Sequence, residues 1–394
     1  MKEYRLGDII TIKHGYAFDG EHIVQEDNGI VLVTPGNFRI GGGFQEEKCK
    51  FYSGEIPDGY VLSSGDFIVT MTDLSKTIDT LGYSALVPES DNRVYLHNQR
   101  IGLVSFKAND CFPGYIYFLM RTHPYQRFIA NTSTGSTVHH TSPSKIYDYR
   151  FYAPSYEEQR EIAERMFAYE KIIKNNQRQI KLLEEAAQRL YKEWFVDLRF
   201  PGHENTKITD GVPKGWRRER LVDLVDVQYG YAFDGSQFNA TRNGMPIIRI
   251  RNIPSGNTCD YTTEKVDVQY VVHNGDILVG MDGEFHINSW SGPDAYLVQR
   301  TCSFRPNKSS MKGYLLQAIY EPIKFFESTV VGATVAHLGK KHIDTISVLT
   351  CPDNLYVPFQ KYYEQRQLLL NQNWLLTEAR DRLLPKLMSG EIEV

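Results

Sequence analysis

Gly15-Tyr-Ala-Phe-Asp-Gly20 recurs unchanged as Gly230-Tyr-Ala-Phe-Asp-Gly235, 215 positions later. An identical hexapeptide at that distance points to one folding unit built twice. The matches continue downstream, which separates a duplicated domain from a duplicated peptide. Gly29 and Asn37 return as Gly244 and Asn252. Val61-Leu-Ser-Ser-Gly-Asp-Phe-Ile-Val-Thr-Met71 is echoed by Val271-Val-His-Asn-Gly-Asp-Ile-Leu-Val-Gly-Met281. Gln99-Arg100 pairs with Gln299-Arg300, and Gly114-Tyr115 with Gly313-Tyr314. Gly135-Ser-Thr-Val-His-His140 matches Gly332-Ala-Thr-Val-Ala-His337, and Leu182-Leu-Glu-Glu-Ala-Ala-Gln-Arg-Leu190 matches Leu375-Leu-Thr-Glu-Ala-Arg-Asp-Arg-Leu383. A period of about 200 residues is too long for a solenoid and fits a whole domain plus a long helix.

Each half contains short β-rich runs, Phe67 to Met71 and Ile101 to Phe106, then Ile247 to Ile250 and Ile277 to Met281, bounded by Gly, Asp and Asn. These predict a mixed α+β globule, made twice. From Ser155 the texture changes to Glu, Gln, Lys and Arg with apolar residues at helical spacing. Ile162, Met166, Tyr169, Ile173, Asn176, Ile180, Leu183, Ala187, Leu190 and Trp194 step by four and three. That is a heptad seam, with Asn176 as the kind of polar residue that pins register. Tyr362, Arg366, Leu369, Asn373, Leu376, Arg380, Leu383 and Leu387 keep the same step near the C-terminus, where Pro385 should end or kink the helix.

Neither stripe has an evident partner within its own half, so the two are expected to pack together as an antiparallel coiled coil. A rod of about 33 residues would be roughly 50 Å long. The alternative is that each helix covers its own domain's sheet, although a two-per-seven seam is narrow for that. The expected organisation is a first globular domain at 1–154, a central helix at 155–200, a second domain at 201–356 and a C-terminal helix at 357–394. Phe200 to Lys207 and Gly211 to Gly215 read as the linker into the second domain.

The chain has 394 residues, room for two or three domains, and a formal net charge of −4. That charge excludes a uniformly basic nucleic-acid coat but not a local binding face. The five cysteines (Cys49, Cys111, Cys259, Cys302 and Cys351) form no Cys-x-x-Cys pattern, so no zinc site or disulfide framework is expected, and they read as buried thiols. The charged start and the lack of an apolar run of about 18 residues predict no signal peptide and no membrane span. A cytoplasmic protein is expected.

Enzymatic motifs are sparse. There is no Gly-x-Gly-x-x-Gly and no phosphate-binding loop; Gly332 to Lys341 has the wrong spacing and lacks the Ser or Thr that would meet Mg²⁺. His139-His140 near Ser142 and Asp148 could be drawn as a triad, but the second half keeps only His337. Asp19, Asp66, Asp234 and Asp276 adjoin glycines and suit turns. The motifs of S-adenosylmethionine binding and amino-methyl transfer are absent, so no catalysis and no cofactor or metal are expected on this chain.

The chain resembles the specificity subunits of type I restriction-modification systems. The resemblance runs over essentially its whole length and rests on Leu190-Tyr-Lys-Glu-Trp-Phe-Val-Asp197, Leu383-Leu-Pro-Lys-Leu-Met-Ser-Gly-Glu391 and the Gly-Ser-Thr-Val/Gly-Ala-Thr-Val pair. It implies two target-recognition domains, each reading half of a bipartite sequence in double-stranded DNA. It also implies a helical spacer that docks two methyltransferase subunits, with translocating nuclease subunits joining them. S-adenosylmethionine, methyl transfer and cleavage would then belong to the partners.

Arginine reads guanine and Asn or Gln reads adenine in the major groove. After matched strands, Thr34, Asn37 and Arg39 in the first half face Arg249, Arg251 and Asn252 in the second. Thr72, Ser75 and Lys76 similarly face Asp282 and its neighbours. Thr137, His140, Thr334, His337, Lys340 and Lys341 are candidates for phosphate or base contacts. Asn37 and Asn252, being shared, could equally cap a turn, and Phe18 and Phe233 are expected in the core. A frame kept while its polar residues differ predicts two different half-sites and an asymmetric target. The competing readings are an enzyme with degenerate motifs and a protein-interaction scaffold.

Overall fold

In the computed structural model, residues 1–75, 78–107, 109–329 and 336–392 are described. Contacts gather the chain into two compact units, Met1–Glu170 with Ala379–Val394, and Lys171–Glu378. Each unit therefore takes a share of both long helices.

The first unit is built on two small sheets. A four-stranded antiparallel sheet has the order Ile10–His14, Ile101–Phe106, Phe67–Thr70, Ser84–Leu86. A five-stranded mixed sheet runs Ile23–Val24, Lys50–Tyr52, Ile30–Val33, Val94–His97, Val61–Leu62, with one parallel pairing between Ile30–Val33 and Val94–His97. Alternation explains the strands: Val31, Val33, Ile68 and Ile101 fill one core, while Leu32 and Leu96 point into another with Phe18 and Tyr52.

The second unit repeats this order. Its four-stranded sheet is Val225–Tyr229, Thr301–Pro306, Ile277–Gly280, Ile287–Ser289. Its five-stranded sheet is Phe238–Asn239, Tyr261–Thr262, Met245–Ile248, Ala295–Leu297, Val271–Val272, again with one parallel pairing, Met245–Ile248 beside Ala295–Leu297. The duplication read from the hexapeptide is thus a duplication of topology. Three strand ends move: Met71 and Met281 each fall just past their strands, and Ile250 lies in the 3₁₀ turn Ile250–Asn252.

The long helices are Tyr156–Tyr191 and Val357–Ser389. Of the seam positions in the first, Ile162, Met166, Ile173, Asn176, Ile180 and Ala187 are buried, and Tyr169, Leu183, Leu190 and Trp194 half-buried. In the second helix Tyr362, Leu369, Leu376 and Leu383 are half-buried and Leu387 is buried. Tyr363, Gln367, Leu384 and Met388, off that seam, are also buried, so the second helix presents a broader face. It does not end at Pro385 but continues to Ser389.

Within the second unit the contacts run in opposite senses. Trp194 meets Phe359 with ring centroids 5.8 Å apart, Glu184 meets Arg366 at 2.6 Å, and the Asn176 amide donates to Gln372 and Asn373 at 2.9 Å each. Within the first unit Met166 shares a core with Leu384, Leu387 and Met388.

The expectation that neither helix has a partner in its own half is corrected. Phe167 packs on Phe118 at 4.8 Å, and Ala163 lies so close to Gly114 that a Cβ there would sit 3.0 Å from it. The end of the first long helix opens into a π-helical turn, Lys192–Val196, which inserts Phe195 against Trp216 and Tyr314. The expected linker is likewise partly core, since Phe200 is buried 4.6 Å from the Trp216 ring, and Ile208–Thr209 and Val212–Pro213 form a hairpin. Cys259 is exposed rather than buried.

Candidate nucleic-acid interface

The repeated hexapeptide locks a strand crossing. The Tyr16 N–H donates to the His97 carbonyl at 2.8 Å, and Tyr231 N–H to the Leu297 carbonyl at 2.8 Å. Gln99 and Gln299 return the bond to the carbonyls of Tyr16 and Tyr231 at 2.8 and 2.7 Å. A Cβ on Gly15 would collide with the carbonyls of His97 and Asn98, and one on Gly230 with that of Val298, so glycine is dictated by close backbone approach. Phe18 and Phe233 are buried, as expected, and Asp19 and Asp234 cap the 3₁₀ turns that follow.

A second junction is equally repeated. Met71 N–H donates to the Arg100 carbonyl and Met281 N–H to the Arg300 carbonyl, both at 2.9 Å. The Met71 and Met281 carbonyls accept from Thr141 and Leu338 at 3.0 and 2.7 Å. These bonds set Thr72–Asp73 against His139–His140 in one unit and Asp282 against His337 in the other. Segments about 60 residues apart in sequence thereby meet, with His140 and His337 exposed, Asp282 half-buried, and Thr72 and Asp73 buried beneath.

The side chains on this shared frame differ. In the first unit Thr72 Oγ1 lies 3.1 Å from His140 Nδ1. In the second, the Asp282 carboxylate takes His337 Nδ1 at 2.5 Å and lies 3.4 Å from the Arg300 guanidinium. One junction pairs a hydroxyl with an imidazole, and the other brings a carboxylate between an imidazole and a guanidinium. Asp73, beside Thr72, accepts from Ser75 N–H at 2.6 Å and from the Thr80 hydroxyl at 2.8 Å. Burial pushes its carboxyl up, but the hydrogen bonds from Ser75 and Thr80 more than offset this and hold it below the usual range.

The other candidates are placed as follows. Asn37 and Asn252 are buried and accept from the backbone N–H of Thr34 and Arg249 at 2.8 and 2.9 Å, so their amides serve turns. Thr34 is half-buried and Arg39 exposed. Arg249 lies over the Phe238 ring at 5.7 Å, and Arg251 is held by Asp260 at 2.6 Å. Thr137, His140, His337, Lys340 and Lys341 are exposed, the two lysines opening the short helix Lys340–Ile343. Lys76 and Thr334 lie outside the described residues.

The drawn triad does not assemble. Ser142 caps the helix Pro143–Tyr147, Asp148 pairs with Arg5 at 2.6 Å, and His140 faces Thr72. Sequence reasoning missed Asp73, Arg100 and Arg300, although the repeated Gln-Arg pair was a usable signal for the last two. Among the described residues no group of three or more His, Cys, Asp or Glu could hold a metal, and no helix is long and apolar enough to cross a membrane.

Comparison with known proteins gives a consistent answer. The chain is 25% identical over 298 residues to the type I restriction enzyme MjaIX specificity subunit of Methanocaldococcus jannaschii, spanning 71% of this chain and 69% of that protein. It is 28% identical over 179 residues to the EcoBI specificity subunit of Escherichia coli, spanning 44% of this chain and 36% of that one. Its fold is similar to the crystal structure of the S subunit of a type I restriction-modification system from M. genitalium, with a TM-score of 0.56 at 16% identity, over 98% of this chain and 96% of the other. The family described as the type I restriction modification DNA specificity domain matches residues 1–185 and again 213–354, once over each repeat. By that match, over most of its length, the chain belongs to the type I restriction modification DNA specificity domain family.

Proposed function

We propose that this chain is the sequence-reading subunit of a type I restriction-modification complex, each globular repeat recognising one half of a split, asymmetric DNA target. The observation that carries this reading is the repeated junction at Met71 and Met281, where an identical backbone frame holds Thr72 with His140 in one unit and Asp282 with His337 in the other. A scaffold serving one ligand twice would keep the side chains. Two readers of different bases would keep only the frame. Thr34, Arg39, Thr72, Ser75, Lys76, Thr137 and His140 are proposed for the first half-site. Arg249, Arg251, Asp282, Thr334, His337, Lys340 and Lys341 are proposed for the second.

The chain carries no reaction in this account and works in the cytoplasm. Two methyltransferase subunits, which would bring S-adenosylmethionine, dock on the long helices, and nuclease subunits join that assembly. Support for docking comes from Leu182, Leu368 and Leu375, which are 64%, 69% and 59% exposed on the two long helices. The helices, paired as an antiparallel coiled coil, fix the distance between the half-sites. Nuclease footprinting of the chain with its methyltransferase partners tests this: two protected blocks separated by an unread gap are expected, and a single continuous block would refute the bipartite reading.

A further inference from the structure

Whatever differs between the two units can serve two different half-sites, whereas an exposed feature that is identical serves what both stretches of duplex share. Every stretch of duplex presents the same sugar-phosphate backbone, and about half of protein to DNA hydrogen bonds go there. The exposed pairs Gln99-Arg100 and Gln299-Arg300 are identical, and they occupy the same turn between matched strands. Both turns are held at two points by the same main-chain bonds. Gln N–H donates to the tyrosine carbonyl of the hexapeptide, and the arginine carbonyl accepts from Met71 or Met281. The two turns differ in one respect: Arg300 lies in the left-handed region at φ 68°, uncommon for a non-glycine residue, and Arg100 does not.

The turn adjoins the divergent junction on both sides. Arg100 forms no ion pair among the described residues, because the position that Asp282 fills beside Arg300 is Thr72 here. Arg300 contacts Asp282 and His337 through Nη1, at 3.5 and 3.3 Å, which leaves Nε and Nη2 for an acceptor. A guanidinium on a rigid turn, with free donors and no matching change between the halves, is suited to a tetrahedral anion rather than to one base.

We propose that the repeated Gln-Arg turn is the phosphate anchor that seats each domain on duplex DNA independently of sequence, Arg100 in the first unit and Arg300 in the second. This rests on the DNA-reading function proposed above. Neutralising one phosphate contact lowers the slope of log affinity against log salt by about 0.9. Arg300 should contribute less than Arg100, since Asp282 already offsets part of its charge.

The test measures binding of the chain, complexed with its methyltransferase partners, to a duplex carrying its target over a salt series. The proteins are the parent, Arg100→Ala, Arg300→Ala and Arg100→Lys, each also scored for its methylated motif. Arg100→Ala should flatten the slope by about 0.9 and weaken binding roughly fivefold near 0.15 M salt. Arg300→Ala should do less, and Arg100→Lys should keep the slope, with the motif unchanged throughout. A motif relaxed at one base would overturn the proposal in favour of base reading, and an unchanged slope in Arg100→Ala would overturn it outright. A parent complex with no preference for any target would instead defeat the underlying reading. If Arg100→Ala does not fold, the lysine variant and Arg300→Ala still decide, through slope and motif.

Discussion

Asn37 and Asn252 show how a residue can be legible in sequence and still leave two readings open. Shared between repeats and of a type that reads adenine, they invite a base contact, yet both are buried and accept a backbone N–H within their own turn. Only the burial settles this, and burial depends on contacts that spacing does not encode. The hexapeptide glycines separate in the same way. Gly15→Ala or Gly230→Ala should cost about 1–3 kcal/mol, because the new methyl meets a backbone carbonyl that cannot rotate away. Gly20→Ala and Gly235→Ala, with nothing within 4 Å, should stay within about 0.5 kcal/mol. Urea unfolding of the four variants would compare them directly.

Asp73, invisible in the sequence because Thr72 and not Asp73 aligns with Asp282, ties down the loop that carries Ser75. The hydrogen bonds from Ser75 and Thr80 hold its carboxyl below the usual aspartate range in the folded chain. Its contribution is therefore fully present above the unfolded value and is lost as pH falls through the folded one. Stability measured from pH 7 down to pH 2 should fall less steeply in Asp73→Asn than in the parent; equal slopes would contradict the assignment.

At the scale of elements, the seam of the first long helix was legible, since its ten positions are all buried or half-buried, but Ala163 and Phe167, off the seam, pack on its own domain. The second was less so, because its buried positions include Gln367, off the seam, and Arg366, a charged residue whose burial at a seam position no hydrophobic pattern explains. The Arg366 guanidinium donates to Glu184 on the first long helix and to Asn288 at 2.6 Å each, and to Ser289 at 2.7 Å. The Asn288 amide in turn donates to the Ile253 and Pro254 carbonyls, in the loop after Arg249 and Arg251. The helix pair is thus bonded, within one unit, to a proposed reading loop. Arg366→Ala would remove three hydrogen bonds at a buried site, while Asn288 Oδ1 keeps the Ser289 N–H and Ser289 Oγ keeps Gln367, and should cost about 1–3 kcal/mol. Thermal unfolding checks it, and a loss under about 1 kcal/mol would show that the network contributes little.

For the molecule as a whole, the hexapeptide and its downstream echoes were enough to read two copies of one α+β domain, and both sheets repeat strand for strand. The proposed interface was only half legible. Its pieces, Thr72 with His140 and Asp282 with His337, were each singled out, but their pairing comes from main-chain bonds between segments far apart in sequence. The central claim is that this chain chooses the DNA sequence on which its partners act. Single-molecule sequencing of adenine methylation, in cells expressing the chain with its neighbouring methyltransferase and in cells expressing the methyltransferase alone, tests it most directly. The account predicts a new split and asymmetric methylated motif only when the chain is present, whereas the same methylation with and without it would contradict the account.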